Sequence, residues 1–586
     1  MRKLFSNLIW LLCQPITAAG AFLAVMLGLY ILEKIPANMP FVGFIIAAIA
    51  AFVFLLSRKP YLSAYAGMAT VSVIALASTV KYRLKGFDLH VFDFAFTGED
   101  PDAAKFLIEK YAYLIVPVLV LIVLVVAFLV MFGFAERRGR TAWPKRVALL
   151  AASSLGIYVA YPLAPDEPRY FHYLGGFNAS SFFVSTLDLQ YVFRQSQFAE
   201  MVRNVPPQEP YVGDTACGDM HNQPDIFVVL SESATTPDNF PQLKTGDLFK
   251  REFLSQDGKV HPLFVETFGG GTWVSNLSVM TGLASTDFGV QAPYLTTVLD
   301  GKVHGALPEV LAKCGYRTVE ITPVNHNFVN EGPFMESIGF QTVLDYSDIH
   351  ATQYAHQDEF YFKAAEAFIR DYRQKGGGPL LLSLKTMFPH SPYNEPLVAE
   401  NGLPFVKFGG DDITDEYMNR VLTGQHDFQR YLEAIKSLTT ERGSVILEYG
   451  DHQSYVTKNL IDENYHGNSL QDLHSPAYKT YFSVHSFNYD IDMKAFGEGP
   501  LDIGFLGVAL VEAARLPLSP MYRELIALKD LCEGHFHDCK DRAAVDRHLR
   551  RRVDSGLLEV LPATAPAVVA AGEPRSVGID TPPLRQ

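Results

Sequence analysis

Charge is missing from five stretches in the first 164 residues: Leu4–Leu32, Ile35–Ser57, Pro60–Val80, Tyr111–Ala135 and Val147–Ala164. A helix needs about 20 apolar residues to cross a hydrocarbon core about 30 Å thick. The first four stretches meet that length and the fifth falls slightly short, so five spans are expected over residues 1–164. The first is too long for the apolar segment of a cleaved leader, and further spans follow it directly. Positive charge marks one side of the membrane: Arg2 and Lys3 before the first span, Arg58 and Lys59 after the second, and Arg137, Arg138, Arg140, Lys145 and Arg146 after the fourth. That side is the cytoplasm by the positive-inside rule. Lys81, Arg83 and Lys85 break the pattern, because they open a loop on the other side. Five crossings from a cytoplasmic N-terminus put the rest of the chain outside. The expectation is an inner-membrane protein with its main domain in the periplasm.

Residues 165–222 mix aromatics such as Tyr173, Phe182 and Phe183 with scattered charge and end near Pro206-Pro207, a pattern expected for juxtamembrane helices and a linker. From Asp225 the periodicity changes. Short apolar runs (Ile226–Leu230, Thr318–Thr322, Leu380–Leu384, Val445–Glu448) alternate with helical stretches (Leu307–Cys314, Glu359–Tyr372, Tyr417–Leu438). Unbroken apolar strands separated by helices predict a mostly parallel sheet covered on both faces, here over residues 223–540. Functional groups in such sheets collect at the carboxyl ends of strands. Residues 541–586 are expected to form a tail, disordered where Ala and Pro dominate.

Composition narrows the function. A net charge of −14 argues against a nucleic-acid partner, which requires a basic footprint. Five cysteines are too few for a disulfide scaffold. Cys217 with Cys314, or Cys532 with Cys539, would pair in an oxidising compartment, but spacing alone decides neither.

Four strand ends or helix starts carry chemistry. Glu232 follows the first strand in SESATTP; three glycines, Gly269 to Gly271, lead into Thr272 and a helical pattern; His390 follows the third strand in KTMFPHSPY; Asp451 and His452 follow the fourth in ILEYGDHQSY. Glu, Asp and His are ligands for Mn, Mg or Zn. A threonine at a helix N-terminus behind glycines faces free N–H groups, a berth for a phosphoryl group, and a neighbouring metal would activate its hydroxyl. Each element has a plainer meaning alone: a helix-start carboxylate, an N-cap, a surface histidine, an Asx turn. Their common placement favours chemistry.

This set resembles the alkaline-phosphatase/sulfatase superfamily over about Asp225–Phe482, and within it the lipoteichoic acid synthase and phosphoglycerol transferase branch, a relative of the phosphoethanolamine transferases. Members of that branch also carry five membrane spans. The resemblance implies a five-helix transmembrane domain followed by an α/β, sulfatase-like, alkaline-phosphatase-type extracytoplasmic domain. It implies one divalent metal ion (Mn, Zn or Mg) on Glu232, Thr272, Asp451 and His452. Thr272 would be the nucleophile, and His390 would contact the substrate phosphate. The stretch LAKCGYRTVEITPVNHNFVNEGPFMESIGF is similar to the family's "GY-T … GF" segment, but Val329-Asn330-Glu331 replaces the synthases' Trp-Asn-Arg. Asn330 keeps a substrate-contact position in that run. The sulfatases' Cys or Ser-x-Pro-x-Arg is missing around Thr272, which disfavours sulfate esters. His474, just ahead of a strand-like run, is a further candidate for substrate or a second metal.

The implied activity is transfer of a phosphoglycerol headgroup from a membrane phospholipid, phosphatidylglycerol, to an envelope glycan or glycolipid through a phospho-threonine. The alternatives are a phosphoethanolamine transferase drawing on phosphatidylethanolamine at the same site, or a non-catalytic lipid-binding sensor on the same fold.

Overall fold

The computed structural model describes residues 2–33, 36–96, 101–162, 173–193, 197–218, 222–353, 355–394, 396–397 and 403–560. Among the described residues, four helices are long and apolar enough to cross a membrane: Pro15–Glu33, Pro36–Ser57, Pro60–Lys85 and Tyr111–Ala135. The first apolar stretch is not one continuous helix. It divides into Arg2–Leu12 and Pro15–Glu33, because a proline has no N–H to donate and sits well only in a first helical turn. The expected fifth span corresponds to Trp143–Val159, a helix of 17 residues that opens with Trp-Pro-Lys-Arg; Leu163 and Ala164 lie outside the described residues. It packs tightly on the second spanning helix: a Cβ on Gly156 would come within 2.2 Å of the Phe44 ring.

Between the membrane helices and the sheet, Asp88 is fully buried. It accepts hydrogen bonds from the backbone N–H of Phe177 (2.9 Å) and Asn178 (3.2 Å) and from the Ser181 hydroxyl (2.8 Å). Burial outweighs these bonds and raises its pKa to about 6. This contact ties part of the expected juxtamembrane segment to the end of the third spanning helix; residues 165–172 of that segment lie outside the described residues.

Among the described residues, the domain after the membrane helices is built on eight strands: β1 (Asp225–Ser231), β2 (His261–Phe264), β3 (Arg317–Ile321), β4 (Thr342–Leu344), β5 (Leu380–Lys385), β6 (Ser444–Gly450), β7 (Lys479–Phe487) and β8 (Leu501–Asp502). Their order is β4-β3-β5-β1-β6-β7-β2-β8, and β7 alone runs against the others. The sheet is therefore mixed but mostly parallel. Every residue of β1 is buried, as a central strand between two helical layers requires. Ile226, Val228 and Leu230 pack with Leu277 and Val508 on one face; Phe227 and Val229 pack with Tyr361, Phe428 and Tyr431 on the other. Packing continues past residue 541. The helix Arg542–Asp554 buries Val545, Leu549 and Arg552 against the same core, so this part of the expected tail belongs to the folded domain, while residues 561–586 lie outside the described residues. Cys217 is bonded to Cys314 and Cys532 to Cys539.

Candidate active site

Register brings the first two ligands together. β1 and β6 are parallel neighbours with Ser231 opposite Gly450, so Glu232 and Asp451, each one residue further on, emerge side by side at the carboxyl end of the sheet. Gly450 is required there, because a Cβ would fall 2.0 Å from the Ala234 carbonyl oxygen. Opposite them Gly269, Gly270 and Gly271 all hold positive φ (69°, 143° and 94°), which a side chain strongly disfavours, and deliver Thr272 as the first residue of the helix Thr272–Thr281. The Gln453 carbonyl fixes this loop to β6 by accepting from the Gly269 N–H at 2.9 Å.

The expected metal group converges. The Thr272 hydroxyl donates to Glu232 Oε2 at 3.0 Å and stands 3.4 Å from His452 Nε2. His452 Nε2 lies 3.3 Å from Asp451 Oδ2 and 3.7 Å from Glu232 Oε1. Glu232, Asp451 and His452 are buried, with ligand atoms all within 4.8 Å of one another. His452 Nδ1 is engaged with the Gln453 carbonyl at 3.0 Å, so it carries the proton and Nε2 presents its lone pair inward. Asp451 Oδ1 accepts from the N–H of Ser233 (2.8 Å) and His452 (2.9 Å), while Oδ2 is buried with no hydrogen-bond partner. Burial, followed by the negative charge of Glu232, holds the Asp451 carboxyl far above its ordinary range. Burial also lowers His452 to about 4, which keeps it in the neutral, ligating form. Two buried carboxylates, one unpartnered oxygen and one aimed lone pair fit a divalent cation.

His390 and Thr272 line the same cavity of about 1420 Å³. The His390 ring nitrogen Nδ1 is 2.6 Å from the Ser391 carbonyl, and Arg420 binds the His390 carbonyl at 2.8 Å. Asn330 also lines this cavity, but its amide donates to the Thr296 carbonyl and to Asp300 Oδ2, both at 3.1 Å, so it shapes the wall through neighbouring groups. His474 is not brought to this site. It lies ahead of β7 on the β8 side of the sheet, edge-on to Phe264, and does not line the cavity.

The structure adds two lysines that motif spacing does not reveal. Lys385, the last residue of β5, is buried between Glu320 (2.7 Å) and Glu331 (2.8 Å) and lines the cavity. The carboxylate that replaces the synthases' arginine thus has its own cation. Lys85 reaches in from the end of the third spanning helix, close enough that a Cβ on Gly270 would meet its Nζ at 2.4 Å. The signal was present in the sequence: Lys81, Arg83 and Lys85 break the charge rule for their side of the membrane. Lys81 binds Asp93 at 2.6 Å, and Asp93 accepts from Tyr294 of the sheet-bearing domain at 2.8 Å. Lys81 and Lys85 thus reach toward the sulfatase-like domain and its cavity.

Residues 224–478 match the family model described as Sulfatase. The chain carries a sulfatase-family domain. The matched segment coincides with the residues that carry the resemblance to the alkaline-phosphatase/sulfatase superfamily. An uncharacterized protein of Haemophilus influenzae is 25% identical over 335 residues; the match takes in 54% of this chain and 59% of that protein, so it spans less than two thirds of the relative's length. Among solved structures, the phosphoglycerol transferase GacH of Streptococcus pyogenes, in complex with sn-glycerol-1-phosphate, is 14% identical at a TM-score of 0.44, covering 62% of this chain and 93% of its own. The phosphoethanolamine transferase EptA of Neisseria meningitidis, an integral membrane protein, is 12% identical at a TM-score of 0.48, covering 86% of this chain and 97% of its own. The lipoteichoic acid synthase LtaP of Listeria monocytogenes is 15% identical at a TM-score of 0.38, covering 55% of this chain and 78% of its own.

Proposed function

We propose that the chain is a membrane-anchored phosphotransferase that moves a phosphoglycerol headgroup from phosphatidylglycerol to a hydroxyl of an envelope glycan or glycolipid. The observation that carries this reading is the Thr272 hydroxyl at a helix N-terminus, within 3.4 Å of both Glu232 and His452. Glu232, Asp451 and His452, with Thr272, would hold one divalent ion (Mn, Zn or Mg). That ion would lower the pKa of the hydroxyl and offset charge on phosphate oxygens. Thr272 Oγ attacks phosphorus, an O–P bond forms, and the bond to diacylglycerol breaks. The proton given up by Thr272 passes by way of His390 to the oxygen that leaves with diacylglycerol. An acceptor hydroxyl then forms its own O–P bond as the threonine ester breaks, returning a proton to Thr272. The free N–H groups of the helix Thr272–Thr281 bind the phosphoryl oxygens.

In this reading residues 1–164 anchor the enzyme in the inner membrane, 165–222 link, and the domain from 223 catalyses in the periplasm. The two disulfides support an oxidising compartment. The anchor keeps the site beside the leaflet that holds the donor. A second headgroup, phosphoethanolamine, is favoured by the carboxylate of Asp300 in the cavity lining, which suits an ammonium group.

The test is mass spectrometry of the full-length protein in vesicles of phosphatidylglycerol or phosphatidylethanolamine. The expected result is a glycerophosphoryl adduct on the peptide bearing Thr272, lost in Thr272→Ala. A phosphoethanolamine adduct selects the second headgroup. Diacylglycerol release that survives Thr272→Ala overturns the mechanism.

A further inference from the structure

A second set of ligating groups lies away from the nucleophile. Asp502 ends β8, three strands from β6 in the sheet order, or about 14 Å at ordinary strand spacing. Around it stand His474, from the segment ahead of β7, and His535, from the loop closed by the Cys532–Cys539 disulfide. Their ligand atoms lie within 4.8 Å of one another: His474 Nε2 is 3.9 Å and His535 Nδ1 3.7 Å from Asp502 Oδ1.

Two features set this group apart from an ordinary histidine–carboxylate pair. His537, in the same disulfide-closed loop, closes on Glu266 at 2.7 Å, as an ion pair does. His474 and His535 stop about 1 Å further from Asp502, and all three facing atoms are buried with no hydrogen-bond partner. The Asp502 side chain is only 2% exposed, so an unpartnered oxygen there is costly unless something binds it. Secondly, the outward atoms are committed. Asp502 Oδ2 accepts from the N–H of Phe536 (2.6 Å) and His537 (3.2 Å), and His474 Nδ1 meets Asp538 Oδ2 at 3.1 Å. A carboxylate on the far nitrogen leaves the proton there and turns the Nε2 lone pair to the centre, the arrangement that orients metal-ligating histidines.

We propose that His474, Asp502 and His535 form a second metal site, separate from the Thr272 centre, for a borderline divalent ion, Zn²⁺ foremost. Bonds of about 2.0–2.1 Å in a tetrahedron separate ligand atoms by about 3.4 Å, so the two spacings from Asp502 to the histidines need to contract by only about half an ångström or less. Two histidines and one carboxylate leave a fourth position open, and the half-exposed histidines admit water to it. Bound there, the ion fastens the disulfide-closed loop to β8 and to the approach to β7.

The test uses the full-length protein in detergent with Zn²⁺ as the only probe. In Asp451→Asn, whose first centre is disabled, one equivalent of Zn²⁺ is expected by equilibrium dialysis with metal analysis. Adding His474→Ala and His535→Ala to that background is expected to weaken binding at least 100-fold, with far-ultraviolet circular dichroism unchanged. Co²⁺ in place of Zn²⁺ is expected to give visible d–d absorption that disappears with either histidine, an independent readout should the double variant fold poorly. Asp451→Asn protein that binds no Zn²⁺, or that binds equally well without both histidines, overturns the assignment. Neither result bears on Thr272, whose adduct is read separately.

Discussion

Replacing Asp451 with Asn separates a cation site from a static hydrogen-bond network, because the two predict opposite signs. The ligand oxygens of Asp451 and Glu232 lie within 4.8 Å of each other. At an effective dielectric constant of about 20, two unit charges at that separation repel by about 3.5 kcal/mol. Without a cation the fold bears this cost, or takes up a proton at Asp451 instead, which is why that carboxyl is pushed so far up. A carboxyl raised in the fold loses stability as pH climbs above its unfolded value, so the chelated protein is weakened at neutral pH. Asn keeps an oxygen for the two N–H bonds from Ser233 and His452 and removes the charge. In excess chelator Asp451→Asn should therefore melt higher than the unaltered protein, by roughly 5 °C for a domain of this size. With metal the order reverses. A cation at about 1,000 times its dissociation constant stabilises the unaltered protein by about 4.1 kcal/mol, more than the repulsion costs, and leaves this centre of the variant unaffected. Differential scanning fluorimetry in detergent, with chelator and then with Mn²⁺, reads both signs. A variant that melts lower under both conditions would refute the reasoning, since Asp451 would then be a structural acceptor.

Gly270→Ala, at φ 143° and against Lys85, should slow adduct formation at Thr272 about tenfold while leaving the protein folded, measured by the time course of labelling. Asp358 is fully buried, and burial raises its pKa to about 7 while its Oδ1 accepts from the N–H of Met387 (3.0 Å) and Phe388 (2.9 Å), in the loop that leads to His390. An acid raised in the fold favours folding below its unfolded pKa and loses that advantage as pH rises to about 7. Asp358→Asn should thus flatten a loss of about 4 kcal/mol between pH 4 and 7, followed by denaturant unfolding; an unchanged slope would count against it. Glu448 accepts from Ser231, Gln425, Tyr481 and Ser483, so Glu448→Ala strands four buried donors and should cost more than about 4 kcal/mol, with Glu448→Gln much milder on the same denaturant curve.

The long central strands were legible because burial on both faces leaves an unbroken apolar run, as in β1, β5 and β6. The short strands β2, β4 and β8 were not, since two to four residues carry no periodicity. Glu232, Thr272, Asp451 and His452 could be read from motifs at strand and helix ends, and the β1–β6 register explains their convergence. Lys85 was visible only as a charge that breaks the loop pattern expected from the positive-inside rule. Lys385 was hidden at the end of an apolar strand. His474 could be singled out by sequence as a candidate for substrate or a second metal, but its neighbours Asp502 and His535 come from a two-residue strand and a distant loop, which spacing does not reveal. The first span divided at Pro15 for a reason already present in the residue type.

Lys85 against Gly270, and Tyr111 whose hydroxyl meets Ser391 at 2.7 Å, mean that the ends of two helices long and apolar enough to cross a membrane are walls of the cavity that Thr272 lines. A soluble fragment cut away from them has lost part of its own floor. A change of bilayer thickness that tilts either helix would move a wall of the cavity beside the Gly269–Gly271 loop.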